Sequence, residues 1–249
     1  NTPIFLALLT VLAVVSFCTK PYTQFMPVFA QTILNVGAPG LASFRLVDTI
    51  QEQLSFVEKK ENYKVVLINN LPVKDISHDK IGGATSSGEF GSMLLEIFQP
   101  DTRADFQWDH WATLRGRRTH VFTFRVQQRY SKYLILDRDS GREMIAGYHG
   151  LIYADPETKM VMRIKFDADG LQNFPINRVS LDLNYDFVDI SGRPYVVPLK
   201  AELQSGAGSY ASRNEVEFRR YERFSADATI IYDVPDQLPA DQLEEQPIR

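Results

Sequence analysis

RVSLDLNYDFVD, residues 178–189, alternates without a break. Val179, Leu181, Leu183, Tyr185 and Phe187 fall on one face, and Arg178, Ser180, Asp182, Asn184 and Asp186 on the other. A strand with one apolar and one wet face belongs to an antiparallel sheet, because the strands of a parallel sheet are covered on both faces and read as continuous apolar runs. The same period recurs upstream. In MVMRIKFD (160–167), Met160, Met162, Ile164 and Phe166 oppose Arg163, Lys165 and Asp167. In HVFTFRV (120–126), Phe122, Phe124 and Val126 oppose Thr123 and Arg125.

Working outward, similar runs lie at 44–57, 62–69, 132–138, 144–154, 193–203, 212–222 and 226–232. The total is about ten strands, joined by short turns such as DPET, DRDSGR and DISGRP, the arrangement of a meander. In the 44–57 run Leu46, Ile50 and Leu54 also fit a helix. Asp155 and Glu157, the acids of ADPETK, are placed in the bend of a hairpin. Asp before Pro suits a type I turn, and carboxylates at a solvated tip are expected to keep ordinary pKa values, which suits neither a general acid nor a base.

One helix is expected in SSGEFGSMLLEIFQP (86–100). Phe90, Met93, Leu94, Ile97 and Phe98 form a stripe at helical spacing, Ser87 is placed at the N-cap and Pro100 ends the segment. A long polar loop, PVKDISHDKIGGATSSG, precedes it. The tail from 233 to 249 is acidic, broken by proline and expected to be disordered. Trp108 and Trp111, in DFQWDHW, would point to opposite faces of a regular strand, leaving one of them exposed or at a groove mouth.

The 249 residues are 44% hydrophobic and 23% charged, the composition of an ordinary globular protein able to bury a sizeable core. A net charge of -4 gives no basic footprint for nucleic acid, and the arginines of LRGRRTH read as a solvated strand end. The single cysteine, Cys18, excludes an internal disulfide and a cysteine zinc site. The four histidines (His78, His110, His120 and His149) show no metal-ligand spacing, so neither a metal nor a cofactor is expected. GGATSSG has no lysine after its glycines and is not a phosphate loop, and SSGEFGS lacks the order of a nucleophile elbow. With no constellation of nucleophile, base and oxyanion donors, the chain is expected not to be an enzyme; a spatial cluster of Asp109, His110 and His120 would reverse that.

The first forty residues differ in character. PIFLALLTVLAVVSFC, residues 3–18, carries no charge, and the apolar character continues past Lys20, Pro21 and Pro27. Sixteen residues make about 24 Å of helix, short of a ~30 Å bilayer core, whereas a kinked helix over residues 3–36 would reach across it. VFAQ loosely fits a signal-peptide cleavage site. The chain opens on Asn rather than Met, so an earlier start is expected. KPYTQFMPVFA and LNVGAPG resemble a membrane helix and loop of a major facilitator superfamily transporter. One helix cannot transport, so that resemblance implies a fusion or fragment.

The rest of the chain, through DTIQEQLSF, ENYKVV, GGATSSGEFGSMLLEIFQP, GLIYADPETKMVMRI and RNEVEFRRYERF, resembles a secreted acidobacterial family with no established activity. Members begin with a signal peptide and an additional strand before the DTI segment, a strand whose place the transporter-like segment takes here. The hairpin carrying YADPET and MVMRIKF is also similar to the lipoprotein carrier fold of LolA, LolB and RseB-type regulators. That likeness implies an open half-barrel of antiparallel strands plugged by helices, and periplasmic binding of acyl chains or a lipoprotein; it is a likeness of fold, and fold alone does not settle function.

The expected organisation is an apolar helix over 1–41, an antiparallel β domain over 42–232 and the tail. The domain is read as mainly β, a curved sheet or half-barrel packed on one helix. The expected role is non-enzymatic binding of an apolar ligand, an acyl lipid or a lipoprotein, in the cell envelope, on the periplasmic side and anchored in the inner membrane by the helix. Phe90, Leu94, Phe98, Phe124, Phe166, Tyr185 and Phe187 are the expected lining. The competing reading is a structural or protein-interaction domain with a filled core and no ligand.

Overall fold

The computed structural model describes residues 25–37, 44–57, 60–74, 76, 91–190 and 192–223. Phe90, Ser87, the run 226–232 and the tail 233–249 lie outside the described residues, as does the charge-free run 3–18.

Alternation builds the sheet that the sequence announces. Its strands, taken in spatial order from one edge, are β4 (Leu71–Pro72), β3 (Lys60–Ile68), β2 (Arg45–Val57), β1 (Phe25–Gly37), β13 (Tyr210–Arg219), β12 (Arg193–Ala207), β11 (Ile176–Ile190), β10 (Val161–Asp169), β9 (Gly147–Ala154), β6 (Arg117–Val126) and β5 (Asp105–Leu114). A short β14 (Glu222–Arg223) pairs with β1 and completes a 12-stranded sheet. All the recorded pairings are antiparallel, and the sheet is open, with β4 and β5 at its edges. A separate hairpin joins β7 (Leu134–Asp137) to β8 (Arg142–Ile145). The run at 44–57 is strand, not helix: Ile50 and Leu54 are buried with β3 and β1 alongside.

The helix expected over 1–41 does not run through Phe25–Gly37. Those residues are β1, paired with β2 from Phe25 to Val36 and with β13 from Phe29 to Gly37. The strand slot expected to be vacant before the DTI segment is therefore filled by the chain's own residues. A ladder on both sides satisfies the backbone groups of β1 without a helix. Among the described residues no helix is long and apolar enough to cross a membrane.

One face of the sheet is polar and laced by ion pairs between neighbouring strands. Arg163 Nε donates to Asp182 Oδ1 at 2.9 Å, Lys165 Nζ lies 3.9 Å from Asp182, and Lys200 Nζ lies 3.8 Å from Glu215. Opposite charges placed across adjacent strands each add a few tenths of a kcal/mol, about 0.2–1. The other face is apolar. Phe124, Tyr148, Ile152, Ile164, Phe166, Leu181, Leu183, Tyr185, Leu203, Val216 and Phe218 belong to one buried cluster there, with Met93, Ile97 and Phe98 of the helical segment.

Candidate functional site

Two rows of facing residues define the apolar face near β5. In one row Phe106 pairs with Phe124, Phe124 with Gly150, Gly150 with Phe166 and Phe166 with Leu181. In the next, two residues along each strand, Trp108 pairs with Phe122, then Ile152, Ile164 and Leu183 follow. The period of two puts both rows on the same side. Gly150 has no side chain between the rings of Phe124 and Phe166. Its backbone approaches β10 so closely that a Cβ would stand 1.8 Å from the Lys165 carbonyl oxygen.

Tyrosines close over that gap. Tyr148 stands 5.1 Å from Phe166 and 6.0 Å edge-on from Phe124, and Tyr133 meets Phe166 edge-on at 5.2 Å. Phe98 stacks on Phe106 at 5.3 Å. Such offset and edge-to-face pairs each contribute about 0.5–1.5 kcal/mol beyond their burial.

Among the described residues, the cover over this half of the face consists of α1 (Ser92–Ile97), a single six-residue helix, the β7–β8 hairpin through Ile135, and the loop bearing Leu171 and Phe174. Its stripe comes from Met93 and Ile97, as the helical spacing predicts. Glu61, 30 residues earlier on β3, accepts hydrogen bonds from the Gly91 and Ser92 N–H groups, both at 2.9 Å. At the far side, Glu96 accepts from the Tyr148 hydroxyl at 3.3 Å and from the Lys132 N–H at 3.0 Å. Burial first, and the adjacent Glu96 carboxylate second, push the Tyr148 hydroxyl well above the usual tyrosine range, so it remains a donor at any physiological pH.

Five of the expected lining residues gather on this face. Phe98, Phe124, Phe166 and Tyr185 are buried in the common cluster, and Leu94 packs against it partly buried. Phe187 is half-buried with the Arg117 guanidinium 5.2 Å from its ring centre, and a register shift between Asn184 and Tyr185 separates it from the regular part of β11.

Trp108 and Trp111 do not oppose each other. The β5–β6 register slips between Trp108 and His110, so Trp108 pairs with Phe122 and Trp111 with His120. An extra residue, Asp109, is accommodated there, and a bulge of this kind returns both indoles to one face. They are 46% and 41% exposed, at the β5 end of the apolar face. Trp111 lies 3.9 Å from the His120 ring, and Arg118 lies 3.8 Å over Trp111.

Asp109, His110 and His120 are not brought together. His110 Nδ1 is 2.5 Å from Asp109 Oδ2 in an exposed pair, while His110 faces Val121 and so lies on the side away from His120. Among the described residues no group of three His, Cys, Asp or Glu side chains could hold a metal ion.

The two acids of ADPETK are indeed at a bend, but Asp155 is not solvated. It is 7% exposed and accepts hydrogen bonds from the Glu157 and Thr158 N–H groups at 2.9 and 2.8 Å. Burial pushes its carboxyl up, but those two hydrogen bonds, the Thr158 hydroxyl and nearby Arg117 outweigh it and hold the carboxyl below the usual range. LRGRRTH is a solvated strand end, as expected, with Arg115 to Arg118 exposed. Arg115 and Gly116, both at positive φ (49° and 76°), form the two-residue turn joining β5 to β6. The Arg115 guanidinium reaches β10 and β11, donating to the Met162 carbonyl at 3.2 Å and to Asp186 Oδ2 at 3.1 Å.

No family model matches the sequence. No curated protein matches it either. The transporter-like and acidobacterial resemblances thus find no support. Among solved structures, the chain is similar to a LolA superfamily protein from Nitrosomonas europaea at 9% identity and a TM-score of 0.34, covering 87% of this chain and 93% of that one. A domain provisionally assigned to outer membrane lipoprotein sorting, from Vibrio parahaemolyticus, gives 10% identity and a TM-score of 0.43 over 88% and 92%. A DUF1329 family protein from Desulfovibrio piger gives 7% identity and 0.41 over 90% and 94%. Likenesses this distant carry no functional argument.

Proposed function

We propose that this protein is a non-enzymatic binding protein of the bacterial cell envelope, acting on the periplasmic side. It takes an acyl chain, free or as part of a lipoprotein, against the apolar face of its sheet. The observation that carries this reading is that, among the described residues, the apolar face of a 12-stranded sheet is covered by a six-residue helix, a short hairpin and one loop, while Trp108 and Trp111 at its end are exposed. Polar ties between α1 and the rest include those of Glu61 and Glu96. Displacing α1, which carries Leu94 and Phe98 with it, would open Phe124, Phe166 and Tyr185, with Phe187 at the margin. Each buried methylene of a ligand contributes about 0.8 kcal/mol, so an acyl tail can offset both the cost of association and the packing given up when the cover moves.

A second reading is favoured by a specific observation: Phe124 and Phe166 are each only 2% exposed and Tyr148 0%, so the face is already filled by the chain's own rings. A structural or protein-interaction domain would need no more. Mass spectrometry of lipids extracted from the full chain, purified from a bacterial periplasm without detergent, separates the two. A stoichiometric acyl lipid is expected. A well-folded protein carrying none would sink the carrier reading and leave the interaction domain.

A further inference from the structure

Resting on that reading, we infer that the ligand is an anionic amphiphile whose head group seats between Arg118 and Lys159, beside Trp111 and His120, with its tail running inward over Phe122 and Phe124. At the β5 end of the apolar face Trp108 and Trp111 are exposed, and that end carries Arg118 and Lys159. Along β6, Arg118, His120, Phe122 and Phe124 share one side, two residues apart. They grade from exposed arginine to fully buried phenylalanine. The ring contacts are continuous: Arg118 over Trp111 at 3.8 Å, Trp111 to His120 at 3.9 Å, His120 to Phe122 at 5.9 Å. Trp108, the cross-strand partner of Phe122, widens the apolar floor.

Lys159 arrives from the second hairpin. His120 pairs with Ala154, the last residue of β9, and the turn that follows carries Lys159 at a positive φ of 63°. The Lys159 ammonium rests on the Pro156 carbonyl of its own turn. Among the described residues neither Arg118 nor Lys159 forms an ion pair with a carboxylate, whereas Arg117 has Asp155 nearby. Burial, then Lys159, then Arg118, hold the His120 imidazole below its ordinary pKa. His120 Nδ1 is buried and has no hydrogen-bond partner among the described residues. A carboxylate or phosphate placed there would meet two cations and a ring nitrogen able to donate, while an indole screens it from water.

The test compares a long-chain fatty acid with its methyl ester, on the full chain and on the double variant Arg118→Gln/Lys159→Gln. The chain's two tryptophans, Trp108 and Trp111, both stand at the proposed mouth, so their fluorescence reports binding directly. The acid is expected to bind about tenfold tighter than the ester or better, as for a hydrogen-bonded charge. The double variant should remove that preference, so that acid and ester bind alike. A fatty acid brominated beside its carboxylate should quench the tryptophans more than one brominated at the chain end. Equal binding of acid and ester by the full chain would overturn this inference and leave the apolar face intact as a site. A preference surviving in a double variant with wild-type circular dichroism and melting would overturn the assignment to Arg118 and Lys159. Binding of neither probe would overturn both the inference and the carrier reading beneath it.

Discussion

Replacing Gly150 by alanine tests whether the aromatic face depends on a backbone approach that only glycine allows. In most strands Gly→Ala stabilises, because alanine loses less freedom on folding, by roughly 0.5–1 kcal/mol. At Gly150 the new Cβ would lie 1.8 Å from the Lys165 carbonyl oxygen and 2.6 Å from the Phe166 Cα, where ordinary contact begins at 3.4 Å. Both atoms belong to the backbone of the paired strand, so no side chain can rotate aside. Either β9 and β10 separate, breaking ladder hydrogen bonds and lifting Phe166 off Tyr148, or the cost stays as overlap. Overpacking in a core costs about 1–3 kcal/mol, and a clash with fixed backbone belongs at or above the top of that range. With an m-value of about 2–3 kcal/mol/M in urea, the unfolding midpoint should fall by at least about 1 M. Gly206→Ala is the matched control. It sits in β12, its nearest contact is Asn177 Oδ1 at 3.5 Å, and it should be neutral or slightly stabilising. Urea titrations followed by circular dichroism measure both. A Gly150→Ala protein within about 0.5 kcal/mol of wild type would refute the register proposed for Phe124, Gly150 and Phe166.

Two further outcomes are expected. Asp155→Ala should cost about 1 kcal/mol at pH 7, the usual worth of a capping side chain. Because the folded carboxyl sits below its ordinary range, its contribution is present above the unfolded pKa and is lost as pH falls through the folded one. The gap between variant and wild type should therefore close below about pH 4, and thermal melts showing a constant gap from pH 7 to pH 2 would contradict the linkage. Deleting residues 1–41 removes β1 and leaves β2 and β13 with unpaired edges in the middle of the sheet. That truncated chain should be insoluble or lack a cooperative melt; a soluble product melting with the full chain would show β1 to be dispensable.

How much of this could be read in the sequence depended on whether the deciding contact was local. Residues 178–189 announce their strand because each side chain alternates between an apolar cluster and a charged ladder, and β11 runs from Ile176 to Ile190. The stripe of Met93 and Ile97 was equally legible. β1 was not. In FMPVFAQTILNVG apolar residues occupy both parities, Val28, Ala30 and Leu34 on one and Phe29 and Ile33 on the other, so the period of two is hidden. The charge-free run at 3–18 then drew the whole segment into a helical reading. The cap of α1 was illegible for another reason: Glu61 reaches it across 30 residues. Of the lining, Phe98, Phe124, Phe166 and Tyr185 followed from alternation and helical spacing, while Phe106, Tyr133 and Tyr148 came only with the pairing of strands far apart in sequence.

The bulge at Asp109 shows how one inserted residue can shape a site. In a regular strand Trp111 would have faced outward with His110's neighbours, beside the polar ladder, and Trp108 alone would have extended the apolar face. The shift after Trp108 brings Trp111 over His120 and beneath Arg118, lengthening the aromatic floor toward the hairpin tip. The same shift turns His110 away, pairing it with exposed Asp109 and removing it from any catalytic combination with His120. β5 is also an open edge, and a bulge disturbs the ladder that another strand would need in order to join it. A single local irregularity thus moves the tryptophans to the end of the apolar face, separates the histidines and disturbs the ladder of an edge strand.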